Sequence, residues 1–142
     1  MVAGRAGDIT TVEIAEQRDG AEWVGAYLPL IAKRLRVPVV LDALGPAAPL
    51  IPALRAAGVD VTECRGRDVV DAASAFVDAV MAGVVAHPHD DRLANAIGTL
   101  ARRRRGDRWV FDRHHGNIAP IVAASLAAWQ LSPGVESLAA VY

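Results

Sequence analysis

The spacing of apolar and polar residues predicts a chain of alternating strands and helices. Apolar residues alternate with polar ones over residues 10–16, which predicts a strand with one solvated face. Short apolar runs predict further strands at residues 38–42, 59–63 and 109–111. Helical spacing of apolar positions predicts helices at residues 21–36, 47–57, 68–81, 93–102 and 117–129. The order strand, helix, strand over residues 38–63 predicts a right-handed parallel βαβ unit, so the fold class is α/β.

Length and composition predict one globular domain. The chain has 142 residues, of which 53% are hydrophobic and 22% charged, so it can bury a sizeable core. We expect residues 10–131 to be ordered and residues 132–142 to form a loose tail. Cys64 is the sole cysteine, which excludes an internal disulfide and a cysteine-rich zinc site and favours a small core residue over a nucleophile.

Two absences in the sequence favour a soluble, cytoplasmic protein that has no membrane partner. The longest apolar stretch, residues 120–129, is well short of the roughly 20 residues that a membrane-spanning helix requires. Residues 1–8 lack the apolar run of a secretory signal. Cytoplasmic localisation is therefore the expectation.

Asp42 follows a buried strand directly and precedes a Gly-Pro turn. Ligands of open α/β sheets bind at the carboxyl ends of the strands, where an acid can hold a divalent cation or act as a base. An aspartate before a turn can equally accept hydrogen bonds from the backbone amides that follow it. Both interpretations fit the sequence.

Basic residues concentrate at Arg102, Arg103, Arg104 and Arg105, with Arg108 close by. The net charge of the chain is −1, so any attraction for nucleic acid must come from such a local cluster. Forked guanidinium groups suit phosphate recognition, which predicts DNA binding. The alternative is a solvated helix C-terminus whose cations interact with the helix dipole.

Other familiar sites are weak or absent in the sequence. His87 and His89 precede Asp90 and Asp91, an arrangement that could bind a transition metal, but no further ligand lies at a recognised spacing. The sequence contains no nucleophile elbow, P-loop or GxGxxG motif.

Several segments, taken in order, resemble the C-terminal nuclease domain of actinobacteriophage-type terminase large subunits. The resemblance covers about residues 10–131 and is carried by VVLDALGPAAPLI (39–51), GVDVTE (58–63), RD (67–68), AFVDAV (75–80) with His87, RR (103–104) with GDRW (106–109), and NIAPIVAA (117–124) with AW (128–129). It implies a ribonuclease H-like mixed sheet flanked by helices, lacking the first strand or strands.

The resemblance also implies a metal-dependent endonuclease that cuts concatemeric viral DNA during packaging. Such sites use two divalent cations, Mg²⁺ or Mn²⁺, held by acids from separate elements. Asp42 matches one family acid, whereas Asn117 stands where the family has an aspartate, and Asp112 could supply a substitute carboxylate. The first family acid has no counterpart here, so cation binding would be weak or lost and the site degenerate.

The partners implied are double-stranded DNA, a separate terminase ATPase chain and a second copy joined through an exposed sheet edge. Two alternatives stay open at this point. One is a non-catalytic prophage remnant that binds DNA or a partner protein. The other is a flavodoxin-like domain with a small molecule near Asp42 and Gly45, although no phosphate loop supports it.

Overall fold

The computed structural model describes residues 1–132 and the backbone of residues 140–141. The strands are β1 (Val2–Ala6), β2 (Ile9–Glu13), β3 (Val39–Asp42), β4 (Val61–Cys64), β5 (Val85–Ala86), β6 (Arg102–Arg105), β7 (Arg108–Phe111) and β8 (Ala140–Val141). The helices are α1 (Val24–Leu35), α2 (Ile51–Ala56, after a 3-10 turn at Ala48–Leu50), α3 (Gly66–Met81), α4 (Asp91–Gly98) and α5 (Ala119–Gln130).

Within the described residues, six strands form one mixed sheet in the order β4-β3-β8-β1-β2-β5. Strands β3 and β4 are parallel and connected through α2, which confirms the predicted βαβ unit. Strands β1 and β2 form an antiparallel hairpin, and β5 adds to β2 in parallel. Strands β6 and β7 form a separate antiparallel hairpin. The predicted α/β class with a mixed sheet flanked by helices is confirmed.

Helices cover both faces of the sheet. Val39 and Leu41 pack with α1 and α2, whereas Val40 packs into the cluster that contains residues of α3, α4 and α5. This split follows from the two-residue period of a strand. Helix α5 packs against α3, α4 and four strands, and most of its residues are buried, which explains why its sequence is apolar all round.

The prediction that the arginine run ends a helix is wrong. Helix α4 ends at Gly98, and Arg102–Arg105 form strand β6 of the hairpin with β7. Gly106 closes the turn with a φ of 67°, a left-handed conformation that glycine adopts at little cost. Four consecutive arginines have no hydrophobic period, so the sequence carried no signal that separates strand from helix there.

Besides β6, two strands within residues 1–132 were not predicted. The segment Val2–Ala6 carries two small residues and an arginine and shows little alternation, yet it pairs along its whole length with Ile9–Glu13. The two-residue strand Val85–Ala86 is too short for any pattern. Both strands depend on pairing with β2 rather than on local sequence.

The tail predicted for residues 132–142 lies mostly outside the described residues. Within it, Ala140–Val141 form β8, which pairs in parallel with β3 and antiparallel with β1. Across the part of the chain that the structure describes, no helix combines the length and the apolar character needed to cross a bilayer.

Candidate functional site

Asp42 lies at the carboxyl end of β3, on the sheet face that α3 and α5 cover. Its side is set by the alternation along β3, because Val40 faces the same helices and Asp42 follows two residues later. In the register with β4, Asp42 lies opposite Cys64, immediately before α3 begins. The strand therefore places one half-buried carboxylate at the rim of the sheet.

Both carboxylate oxygens of Asp42 have a hydrogen-bond donor. The Leu44 backbone N–H donates to Oδ1 at 3.0 Å, and Arg113 Nη2 donates to Oδ2 at 2.9 Å. The turn-capping interpretation of Asp42 is thus present in the structure. Gly45 approaches so closely that a Cβ there would lie 3.0 Å from Asp42 Oδ2. Arg113, 71 positions away along the chain, was not predicted, because no sequence pattern relates it to Asp42.

A cavity of about 500 Å³ opens beside Asp42 at this edge of the sheet. Its lining residues come from the ends of β3 and β7, the start of α3, strand β6 and helix α5. The charged side chains among them are Asp42, Arg103, Arg105 and Arg113, together with His114. Three guanidinium groups and one carboxylate therefore line the same cavity.

The β6–β7 hairpin directs its arginines to two sides. Arg103 and Arg105 line the cavity, whereas the Arg102 guanidinium lies 4.3 Å from the ring centroid of Trp109, in cation–π contact. Arg108 is ion-paired with Asp71 of α3, which anchors the hairpin to that helix. No ion pair to Arg103, Arg104 or Arg105 occurs among residues 1–132.

Asn117 contributes to a second, smaller cavity that Asp42 also lines. This cavity measures about 310 Å³ and lies between the Gly45-Pro46 turn and the start of α5. The Asn117 side-chain oxygen accepts a weak hydrogen bond from the Ala119 backbone N–H at 3.3 Å and thus helps to begin α5. Asp42 and Asn117 therefore face a common space, and Arg113 lines it as well.

Asp112 is engaged elsewhere and lines neither of these two cavities. Its carboxylate is buried, with Oδ1 accepting from the His114 backbone N–H at 3.1 Å and Oδ2 lying 3.1 Å from His115 Nδ1. The hydrogen bond from His114, followed by the charges of the two histidines, lowers the pKa of Asp112. These contacts make Asp112 a structural acid of the loop between β7 and α5.

The residues at this edge do not fit the two-metal centre that the resemblance implies. Within the described residues, no group of three or more His, Cys, Asp and Glu side chains is arranged to hold a metal ion. Two dications need several oxygen ligands, most of them charged. Asp42 is the one acid lining the two cavities, Asn117 carries no charge, and Arg113 already occupies an Asp42 oxygen.

The other candidate groups that the sequence offered line neither of the two cavities. Cys64 is 3% exposed, and burial raises the pKa of its thiol to about 11, with Asp68 and Asp42 adding to the effect. His87 and His89 are exposed, and His89 Nε2 lies 3.3 Å from Asp91 Oδ1. Asp90 caps α4 by accepting from the Arg92 backbone N–H at 2.9 Å.

The fold as a whole is similar to a solved viral structure. The nuclease domain of the large terminase from Thermus phage P74-26 superposes with a TM-score of 0.62 and 18% sequence identity, covering 88% of this chain and 70% of that chain. The fold is ribonuclease H-like. No protein-family model matches the sequence, and no curated protein does. The terminase-nuclease-like fold expected from the sequence is confirmed.

Proposed function

We propose that this chain is a terminase-nuclease-like domain that binds double-stranded DNA in viral DNA packaging and whose cleavage centre is degenerate. The observation that carries this proposal is the position of strand β6. It projects four arginines from a hairpin beside the cavity at Asp42, on a fold of the terminase nuclease type. Guanidinium groups bind phosphate oxygens in a forked geometry, which suits a DNA backbone.

The DNA-binding residues in this proposal are Arg102 to Arg105, with Arg108 in a lesser role. All four arginines of β6 are exposed, and their cluster is strongly basic although the chain as a whole is nearly neutral. The ion pair with Asp71 reduces the charge that Arg108 can offer to a phosphate. Binding through such contacts is not sequence-specific and weakens with salt.

Metal-dependent cleavage is a second candidate function. It is favoured by one observation, namely that Asp42 and Asn117 line the same cavity, so one Mg²⁺ or Mn²⁺ could contact both. Asp112 would take no part, because its carboxylate is already bound by the loop. A single weak cation site would support slow nicking rather than efficient cleavage.

Two experiments test these functions separately. Fluorescence anisotropy with a labelled duplex should show salt-sensitive binding that a variant with all four β6 arginines changed to alanine loses. Equal binding by that variant would refute the DNA-binding proposal. Supercoiled plasmid incubated with Mn²⁺ should show no nicking above the Asp42→Ala background if the centre is degenerate. Nicking that Asp42→Ala abolishes would instead establish the metal-dependent endonuclease.

The partners that the resemblance implies, a terminase ATPase chain and a second copy of this chain, are also proposals. A separate terminase ATPase chain would supply the motor, and a genomic neighbour encoding Walker motifs would support it. Strand β4 forms one end of the sheet and β5 the other, so a second copy could add at either edge. Sedimentation of the purified chain at several concentrations measures that association.

A further inference from the structure

The charges around the larger cavity are arranged for an anion. Three guanidinium groups and one carboxylate line it, and the carboxylate already forms an ion pair with one of the three. Positive charges that line a cavity raise the energy of a dication bound in it, whereas they lower the energy of a bound phosphate. The remaining lining residues are His114 and residues that are apolar or neutral.

Both carboxylate oxygens of Asp42 are already bound, and one of them holds the Arg113 guanidinium. Arg113 lies in the loop between β7 and α5, outside any helix or strand. Its guanidinium borders both cavities and donates to Asp42 Oδ2, while Oδ1 is fixed by the turn amide of Leu44. The acid therefore orients the arginine toward the space that a phosphate would enter.

Strand alternation gives the hairpin a ligand-facing side. In the β6–β7 register, Arg103 lies opposite Val110, and Arg105 lies opposite Arg108, so both arginines share one face. These two arginines line the cavity. Arg102 and Arg104 belong to the other face, where Arg102 stacks on Trp109.

We infer that this cavity is a metal-independent binding site for a phosphate group of the DNA backbone. Arg103, Arg105 and Arg113 bind the phosphate, and Asp42 is a positioning residue that acts through Arg113. The inference rests on the proposed function, since it assigns a ligand and separate roles to residues of the same DNA-binding surface. It differs from that function in requiring no divalent cation and only one side of β6.

The first test compares two double variants that remove the same charge from the same strand. Duplex affinity is measured by anisotropy in EDTA for the full chain, for Arg103→Ala with Arg105→Ala, and for Arg102→Ala with Arg104→Ala. The cavity-facing pair should weaken binding about tenfold or more, and the other pair by no more than about threefold. Equal losses from the two pairs would overturn the inference while leaving the proposed function intact.

The second test asks whether Asp42 acts through Arg113. In a double-mutant cycle, Asp42→Ala should weaken duplex binding in the wild-type background and have almost no further effect in an Arg113→Ala background. Asp42→Asn should retain part of the affinity, because an amide oxygen still accepts from Arg113. Additive effects of Asp42→Ala and Arg113→Ala would contradict the positioning role, and circular dichroism of each variant checks its folding.

The third test concerns the ligand itself. Mn²⁺ should neither raise the melting temperature by binding at Asp42 nor strengthen the binding of the DNA duplex. A melting shift that Asp42→Asn removes would overturn metal independence. Melting in the presence of inorganic phosphate, at matched ionic strength, distinguishes free phosphate from DNA as the source of the bound group. A phosphate-induced melting shift that depends on Arg103 and Arg105, without a difference in duplex affinity, would refute DNA as the source.

Discussion

At the scale of single residues, the ion pair between Arg113 and Asp42 joins two distant parts of the chain. The arginine side chain is 37% exposed and the aspartate side chain 16% exposed, so water screens the pair in part. Pairs of this kind contribute little to stability. The position of Asp42 was predicted from the sequence, but its partner was not, because the loop that carries Arg113 has no pattern that fixes its path.

Changing Arg113 to glutamine should therefore lower the free energy of unfolding by no more than about 1 kcal/mol. Urea denaturation followed by circular dichroism measures this value. A loss of several kcal/mol would show that the pair is a main structural support, and the DNA-binding comparisons would then need a milder variant.

The thiol of Cys64 should resist alkylation in the folded protein. Burial raises its pKa to about 11, so the reactive thiolate is scarce at neutral pH and becomes common only in strongly alkaline solution. Iodoacetamide at pH 8, followed by mass spectrometry, should label the native chain far more slowly than the urea-unfolded chain. Equal labelling rates would mean that Cys64 is accessible and is not a core residue.

At the scale of elements, helix α5 is the central packing element. Leu126 in α5 is 1% exposed, whereas Leu30 in α1 is 69% exposed. Leu126→Ala should lower the free energy of unfolding by about 2–5 kcal/mol, since it leaves a cavity in the core. Leu30→Ala is the matched control, for which we expect a change within about 0.5 kcal/mol. Similar losses from both variants in urea denaturation would contradict this assignment of the core.

The elements that the sequence predicted are those with strong periodic patterns. All five helices and strands β2, β3, β4 and β7 were found, because buried apolar faces fix their type. Strand β6 was assigned to a helix end, and β1 and β5 were missed. In these three segments, cross-strand pairing determines the conformation, and pairing between distant segments leaves no mark on the local sequence.

The features of the candidate functional site also divide into those that local sequence predicts and those that depend on tertiary packing. Asp42 and the arginine cluster were evident, because strand ends and charge runs are local features. Three other features follow from tertiary packing and were not evident. They are the distribution of the β6 arginines over two faces, the ion pair between Arg108 and Asp71, and the separation of Asp112 from the cavities. The similarity to the terminase nuclease domain supports the expected fold, while the acid set expected from a working two-metal site is incomplete among the residues that the structure describes.

At the scale of the whole molecule, several carboxylates link stability to pH. Hydrogen bonds and ion pairs to arginines lower the pKa of Glu16, of Glu63 and of Asp90, the last to about 2, and hydrogen bonding to His114 lowers that of Asp112. A pKa that is lower in the folded state adds stability above the unfolded value and loses it as the pH falls.

The contribution of these carboxylates to the melting temperature should therefore stay nearly level at mildly acidic pH. It should fall from the ordinary carboxyl values of 4.5 and 3.8 downward, toward the Asp90 value of about 2. Melting followed by circular dichroism across this range measures the effect. A melting temperature that is highest near pH 3 would contradict these assignments.

The central claim is that the arginines of β6 hold a DNA backbone against the sheet edge at Asp42. Its most direct test is the dependence of duplex affinity on salt concentration, measured for the wild-type chain and for Arg103→Ala with Arg105→Ala. Each phosphate that the protein neutralises contributes about 0.9 to the slope of log affinity against log salt, and Arg103 and Arg105 contact the same phosphate, so the variant should lose about 0.9 from the magnitude of that slope. An unchanged slope would show that these arginines do not contact DNA phosphates.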